Sequence, residues 1–131
     1  MRTHVHWTLS VFGIVLFVFA LLCSAFAQSA PKNPPPSYIA NPANFTLLAE
    51  NDQFKVIPEK KPVGFRDAWH SHLPLAGYNL TDCHQRIYTP DGEVREATAK
   101  AGSVFLRPAE PSHSTENIGT AECDQILVER K

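Results

Sequence analysis

The sequence carries no run of lysine or arginine and almost no net charge: 12 basic residues against 13 acidic ones leave a formal charge of −1. Without a basic patch, binding to nucleic acid or to an anionic membrane surface by charge attraction is excluded. Nothing repeats at a 3.6-residue period over a useful length, so no helix is expected, and there is no internal repeat. Long apolar runs are absent apart from one near the start, Thr8 to Cys23. Cysteine is scarce, with Cys83 and Cys123 the only two beyond that run.

That apolar run has the form of a targeting signal. Arg2 supplies a positive start, and Ala25-Phe26-Ala27 follows as a small-x-small cleavage site. At about 16 residues the run is shorter than the roughly 20 that a transmembrane helix needs. The expectation is a cleaved signal peptide over residues 1–27, a periplasmic or secreted product of about 104 residues, and no stable membrane anchor after cleavage. Cys83 and Cys123 then lie in an oxidising compartment, where an even number of cysteines favours a disulfide over two buried thiols.

Residues 28–43 read as a proline-rich linker, with Pro31, Pro34, Pro35, Pro36 and Pro42 favouring extended polyproline conformations. From residue 44 to 131 the pattern becomes short strands separated by turns. Expected strands are Phe45–Leu48, Gln53–Ile57, Phe65–His72, Leu75–Thr81, His84–Thr89, Val94–Ala97, Ser103–Arg107, Ser112–Asn117 and Cys123–Glu129. Glu50-Asn51-Asp52 reads as a turn and the charged stretch Pro58 to Pro62 as a break. Pro90-Asp91-Gly92 marks a hairpin. About nine short strands at this spacing predict an all-β sandwich or barrel.

Four histidines follow the signal: His70, His72, His84 and His113. In a strand, residues two apart share a face, so His70 and His72 project together and can share an ion. Neutral imidazole ligates most divalent transition metals. The wider pattern has Gly64 six residues before His70. A second segment carries Gly102, Pro108, His113 and Asn117. Together these resemble the two motifs of the cupin superfamily, G-x5-H-x-H-x3,4-E-x6-G and G-x5-P-x-G-x2-H-x3-N. The resemblance covers roughly Phe45 to Glu129.

Three positions depart from it. The metal-binding glutamate would fall at Ala76 or Gly77, the closing glycine of the first motif is Cys83, and the turn glycine of the second is Glu110, followed by Pro111. The resemblance implies a small jelly-roll barrel with His70, His72 and His113 as ligands to one divalent ion (Fe, Mn, Ni, Zn or Cu). It also implies a small-molecule ligand or substrate, and pairing into a homodimer. By alternation from Ala76, Tyr78 and Leu80 are expected to face the pocket, with Phe105 and Arg107 on a second strand. Arg107 is suited to a carboxylate, and Glu110 is either a fourth ligand or a solvated turn residue. Asn117 is expected to pin a loop through backbone hydrogen bonds and His84 to lie on the surface. Two functions stay open: a metal-dependent enzyme, such as a small-molecule dioxygenase or isomerase, and a non-catalytic metal- or ligand-binding module of the cell envelope. No residue stands out as a general base. Proton competition for imidazole implies that metal affinity falls as the pH drops through about 6.

Overall fold

The structure, a computed structural model, describes residues 29–131. Residues 1–27, read above as a signal peptide, lie outside the described residues. Among those described, the chain forms one single-turn helix, α1 (Ser37–Ala40), and nine strands. The strands are β1 (Ala49–Glu50), β2 (Phe54–Lys61), β3 (His70–His72), β4 (Leu75–Asn79), β5 (Cys83–Tyr88), β6 (Val94–Ala99), β7 (Val104–Arg107), β8 (Glu110–Asn117) and β9 (Cys123–Arg130). They make two antiparallel sheets of order β1-β2-β9-β4-β7 and β3-β8-β5-β6. The two sheets face one another as a jelly roll, in agreement with the all-β reading.

The strand expected over Phe65–His72 shortens to β3, with Arg66 making only an isolated bridge to Glu116, and three further local expectations change. The helix α1 was not expected among so many prolines. Yet Pro36 precedes it, where a missing N–H costs nothing, and the next proline is Pro42, so one turn fits between them. Phe45–Leu48 is not a strand: Phe45 makes an isolated bridge to Glu59, and β1 forms at Ala49–Glu50 instead. The charged break at Pro58 to Pro62 is mostly strand, since β2 runs through Pro58 to Lys61. Pro58 is tolerated because its peptide faces the loose 45–48 flank, where its carbonyl accepts from Thr46 N at 3.1 Å, and no full ladder needs its absent donor.

The arm of residues 31–36 lies along β3. Ser112 Oγ donates to the Pro31 carbonyl at 3.3 Å and Ser71 Oγ to that of Pro34 at 3.2 Å. Ser71 N donates to the Pro35 carbonyl at 3.1 Å. These bonds cover the free edge of β3.

The apolar core is small: Phe45, Ile57, Leu75 and Leu127, flanked by Tyr38, Leu47 and Phe105. Much of the interior is polar, because the inward residues of β9 are Cys123, Gln125, Leu127 and Glu129. A disulfide joins Cys83 on β5 to Cys123 on β9, with Cα atoms 5.0 Å apart, and so ties one sheet to the other. It spans 40 residues, for which the chain-entropy model gives about 4 kcal/mol. With so modest a core, reductant or Cys83→Ser is expected to lower the thermal midpoint clearly; identical melts with and without reductant would remove this role.

Candidate metal centre

His70 and His72 occupy the two ends of β3, and both side chains point inward and are buried. β3 pairs with β8 in a register that sets His70 directly opposite His113. The register then slips by one residue so that His72 faces Glu110, next to Pro111. The three rings converge, with centroids 4.3, 4.9 and 5.1 Å apart, and each offers a nitrogen within 4.8 Å of the others. Two imidazoles from β3 and one across the ladder on β8 thus converge inside the jelly roll.

The surrounding bonds decide which nitrogen each ring presents. Nδ1 of His70 donates to the Ala68 carbonyl at 2.8 Å. Ala68 is itself clamped by Asn41, whose Oδ1 accepts from its N at 2.7 Å. Nδ1 of His72 donates to Oε1 of Glu129 at 2.6 Å. Both Nε2 atoms are therefore left as acceptors, and they face each other at 3.2 Å. Two lone pairs repel at that distance unless a proton or a cation lies between them. Nitrogens each about 2.1 Å from a shared ion, at an angle near 100°, lie about 3.2 Å apart, so the donor pair fits a metal. His113 adds a buried Nδ1 with no hydrogen-bond partner. Burial holds the His70 and His113 rings below the ordinary imidazole pKa. For His113 the neighbouring imidazoles, Lys61 and Arg107 push in the same direction. Neutral rings are the form that ligates, and the loss of metal expected near pH 6 moves to lower pH.

Negative charge sits just behind the rings. Lys61, 1% exposed, pairs with Glu59 at 2.7 Å and Asp67 at 2.9 Å, and also bonds Thr115. Burial opposes charge on Lys61, but the two carboxylates more than offset it and its pKa lies above the ordinary value. Two carboxylates against one ammonium leave one negative charge, and Glu129 adds another. Three neutral imidazoles contribute none, so a divalent cation balances the group. The motif pattern did not reveal Glu59, Lys61, Asp67 or Glu129, and the charged residues near Pro58 read as a break; alternation counted onward from Ile57 would have placed Glu59 and Lys61 inside.

No family model matches the chain, and no curated protein matches it. Solved structures do. It is similar to the crystal structure of a cupin domain from Bordetella pertussis Tohama I, at 22% identity over 77% of this chain and 98% of that one, with a TM-score of 0.62. A cupin with a double-stranded β-helix fold from Methanocaldococcus jannaschii superposes at a TM-score of 0.53, with 14% identity over 66% of this chain and 77% of that one. This chain has the cupin fold.

A cupin superfamily protein from Desulfitobacterium hafniense DCB-2 is similar too, at 11% identity, 66% and 74% coverage and a TM-score of 0.50. In this chain the inward-facing one of the two positions where the first motif has its glutamate is Gly77, on β4. The ring of Phe105 fills it: a Cβ on Gly77 would lie 2.1 Å from Phe105 Cζ. The missing carboxylate is thus replaced by an aromatic wall.

The histidines open onto a chamber of about 40 Å³, lined among others by Glu59, Gln85, Phe105, Arg107, Glu110 and Gln125. Phe105 and Arg107 line it as expected. Tyr78 does not: it is 45% exposed on the outer face, and Leu80 is exposed as well. The inward residues of β4 are Leu75, Gly77 and Asn79, so counting from Ala76 took the wrong parity. Glu110 is an ion-paired wall residue rather than a solvated one, 3.3 Å from Arg107 and 3.7 Å from Arg95. His84 is at the surface, 3.2 Å from Glu96. Asn117 Nδ2 donates to the Lys61 and Ala121 carbonyls, both at 2.8 Å, and its Oδ1 accepts from Gly119 N at 2.9 Å.

Two outcomes follow. His70 and His113 have depressed pKa values when folded, so the unfolded chain binds protons that the folded one refuses. Metal-free protein is expected to keep its stability above pH 6.5, the ordinary imidazole value, and to lose it as the pH falls below. The loss is up to about 1.4 kcal/mol per pH unit for each histidine. Denaturant unfolding of chelator-treated protein checks this, and a His113→Asn variant should show a shallower slope. Second, Gly77→Ala is expected to cost about 1–3 kcal/mol by crowding Phe105. The same change in a Phe105→Ala background should cost little, and equal costs in both backgrounds would contradict the contact.

Proposed function

We propose that this chain is an exported cupin that holds one divalent metal ion on His70, His72 and His113 and uses it on a small molecule. The observation that carries the metal reading is the pair of Nε2 acceptors facing each other at 3.2 Å, each fixed by a bond to its ring's other nitrogen. The carboxylates behind the rings support it by supplying the charge that the absent motif glutamate would have brought. Export is supported by the apolar run Thr8 to Cys23, the Ala25-Phe26-Ala27 site and the pairing of Cys83 with Cys123.

When bound, such an ion polarises a carbonyl or lowers the pKa of a bound water; iron would add oxidative chemistry. The chain's own residues do the rest. Glu129 and the Ala68 carbonyl orient two of the ligands. Arg107, at the chamber wall, suits a substrate carboxylate. Phe105 lines both the chamber and a groove of about 390 Å³ between β5–β6 and β4–β7. One feature favours the second reading, a non-catalytic metal-binding module: the chamber has room for only a few water molecules.

Elemental analysis of protein purified from its native compartment is expected to find one divalent metal per chain, lost in a His70→Ala, His113→Ala double variant. Glu129→Gln should weaken binding about 10- to 100-fold through loss of His72 orientation. Absence of bound metal together with no uptake by isothermal titration would overturn the assignment. Oxygen consumption with a panel of small acids, phenols and thiols separates the enzyme from the binding module.

A further inference from the structure

Glu110 stands where the second motif has its turn glycine, and its carboxylate bridges two arginines. Its Oε1 lies 3.3 Å from Nη1 of Arg107 and 3.7 Å from Nη2 of Arg95. The arginines come from different sheets. Arg107 ends β7, the edge of the five-stranded sheet, and Arg95 lies on β6, the edge of the four-stranded one. Both face inward. Residues opposite each other in a ladder share a face, and Arg107 pairs with Leu75 and Arg95 with Ile87, both buried. We propose that Arg95 and Arg107 form a clamp for the carboxylate of a small organic acid, and that Glu110 occupies the clamp until the ligand displaces it.

The proposal rests on the small-molecule reading of the chamber, although the clamp itself contains no metal ligand. Among the described residues, Glu110 is the only ion-pair partner of either arginine. Both pairs fall on one oxygen and both are long, so neither guanidinium has the two parallel bonds that a free carboxylate can supply. Partly exposed pairs of this kind hold weakly; the Arg95 and Arg107 side chains are 47% and 29% exposed. Two positive charges against one negative leave the clamp with a net positive charge. Lys100, the other cation on the neighbouring groove, is already neutralised by Asp82 at 2.7 Å. Position then selects the size of the ligand. Arg107 and Glu110 line the chamber beside the three histidines, and Arg107 also lines the groove of about 390 Å³. A carboxylate held by Arg107 leaves its organic body in that groove, beside Ala97, Ala99 and Phe105. The groove is at the small end of the range for ligand sites and suits an acid of the size of benzoate.

Isothermal titration of the protein as purified with benzoate is expected to show one site per chain. The uncharged isostere benzamide should bind about tenfold more weakly or not at all. Arg107→Gln should weaken benzoate about tenfold or more, and Arg95→Gln about threefold or more. Glu110→Gln should instead tighten it about three- to tenfold, because the resident carboxylate no longer competes. Glu110→Gly, which restores the residue of the motif, makes the same test if the first variant fails to fold. Glu122→Gln removes the same charge at an exposed residue that lines neither the chamber nor the groove, and should leave the affinity unchanged. Chelator-treated protein should keep this order of affinities. That arm separates the clamp from the metal: the order can hold with no ion bound, and an ion can be bound where the order fails. Absent or unimproved binding in both Glu110 variants would overturn the proposal. So would benzamide binding as tightly as benzoate, loss of benzoate binding on chelation, or a fall in metal content in Glu110→Gln, which would make Glu110 a ligand of the ion.

Discussion

Two imidazole lone pairs held 3.2 Å apart in a buried chamber are the constraint around which the rest of the site is arranged. Left alone they repel, and each ring is prevented from turning away. The Ala68 carbonyl holds one and Glu129 the other, while Asn41 holds Ala68 in turn. Phe45 packs its ring against both, at 5.2 and 6.2 Å. A cation relieves the repulsion, and the buried carboxylates give it a counter-charge without touching it. Under the metal reading proposed above, the site would need no ligand glutamate: the negative charge lies behind the rings, and the Phe105 ring fills the space at Gly77.

The same polar interior is costly for so small a domain. Glu59, Lys61, Asp67, Gln125 and Glu129 take inward positions that hydrophobic side chains would otherwise fill. A buried ion-pair cluster of this kind is weak evidence for stability. What offsets it is cross-linking and edge protection. The Cys83–Cys123 bridge ties the sheets at one end, and the proline arm closes the edge of β3, whose three residues carry two of the three clustered histidines. The apolar residues displaced from the inside of β9 lie on its outside, which links the polar chamber to the apolar outer face: one inversion of alternation produces both.

How far the sequence could be read depended on what each residue's neighbours were. His70 and His72 were legible because a period of two needs only the local chain. The strand pattern was legible wherever turn residues bounded it, as at Pro90-Asp91-Gly92. It failed at Pro58 to Lys61, where proline and charge looked like a break, because only the loose flank beside β2 makes the proline tolerable. It failed again at Tyr78, because the parity of β4 rests on which side β9 and β7 bury, and Leu75 and Gly77 rather than Ala76 face the core.

The order of residues along the chain was enough to settle the all-β class, the shared face of the histidine pair and the cysteines able to join. Those are consequences of backbone period and composition, which act over a few residues. Folding alone brought His113 opposite His70, set Glu129 behind His72, laid Phe105 over Gly77 and buried Lys61 between two acids. Lys61 and its two acids are near in sequence, but the other three contacts join residues from about 30 to nearly 60 positions apart, and only the register of paired strands selects those.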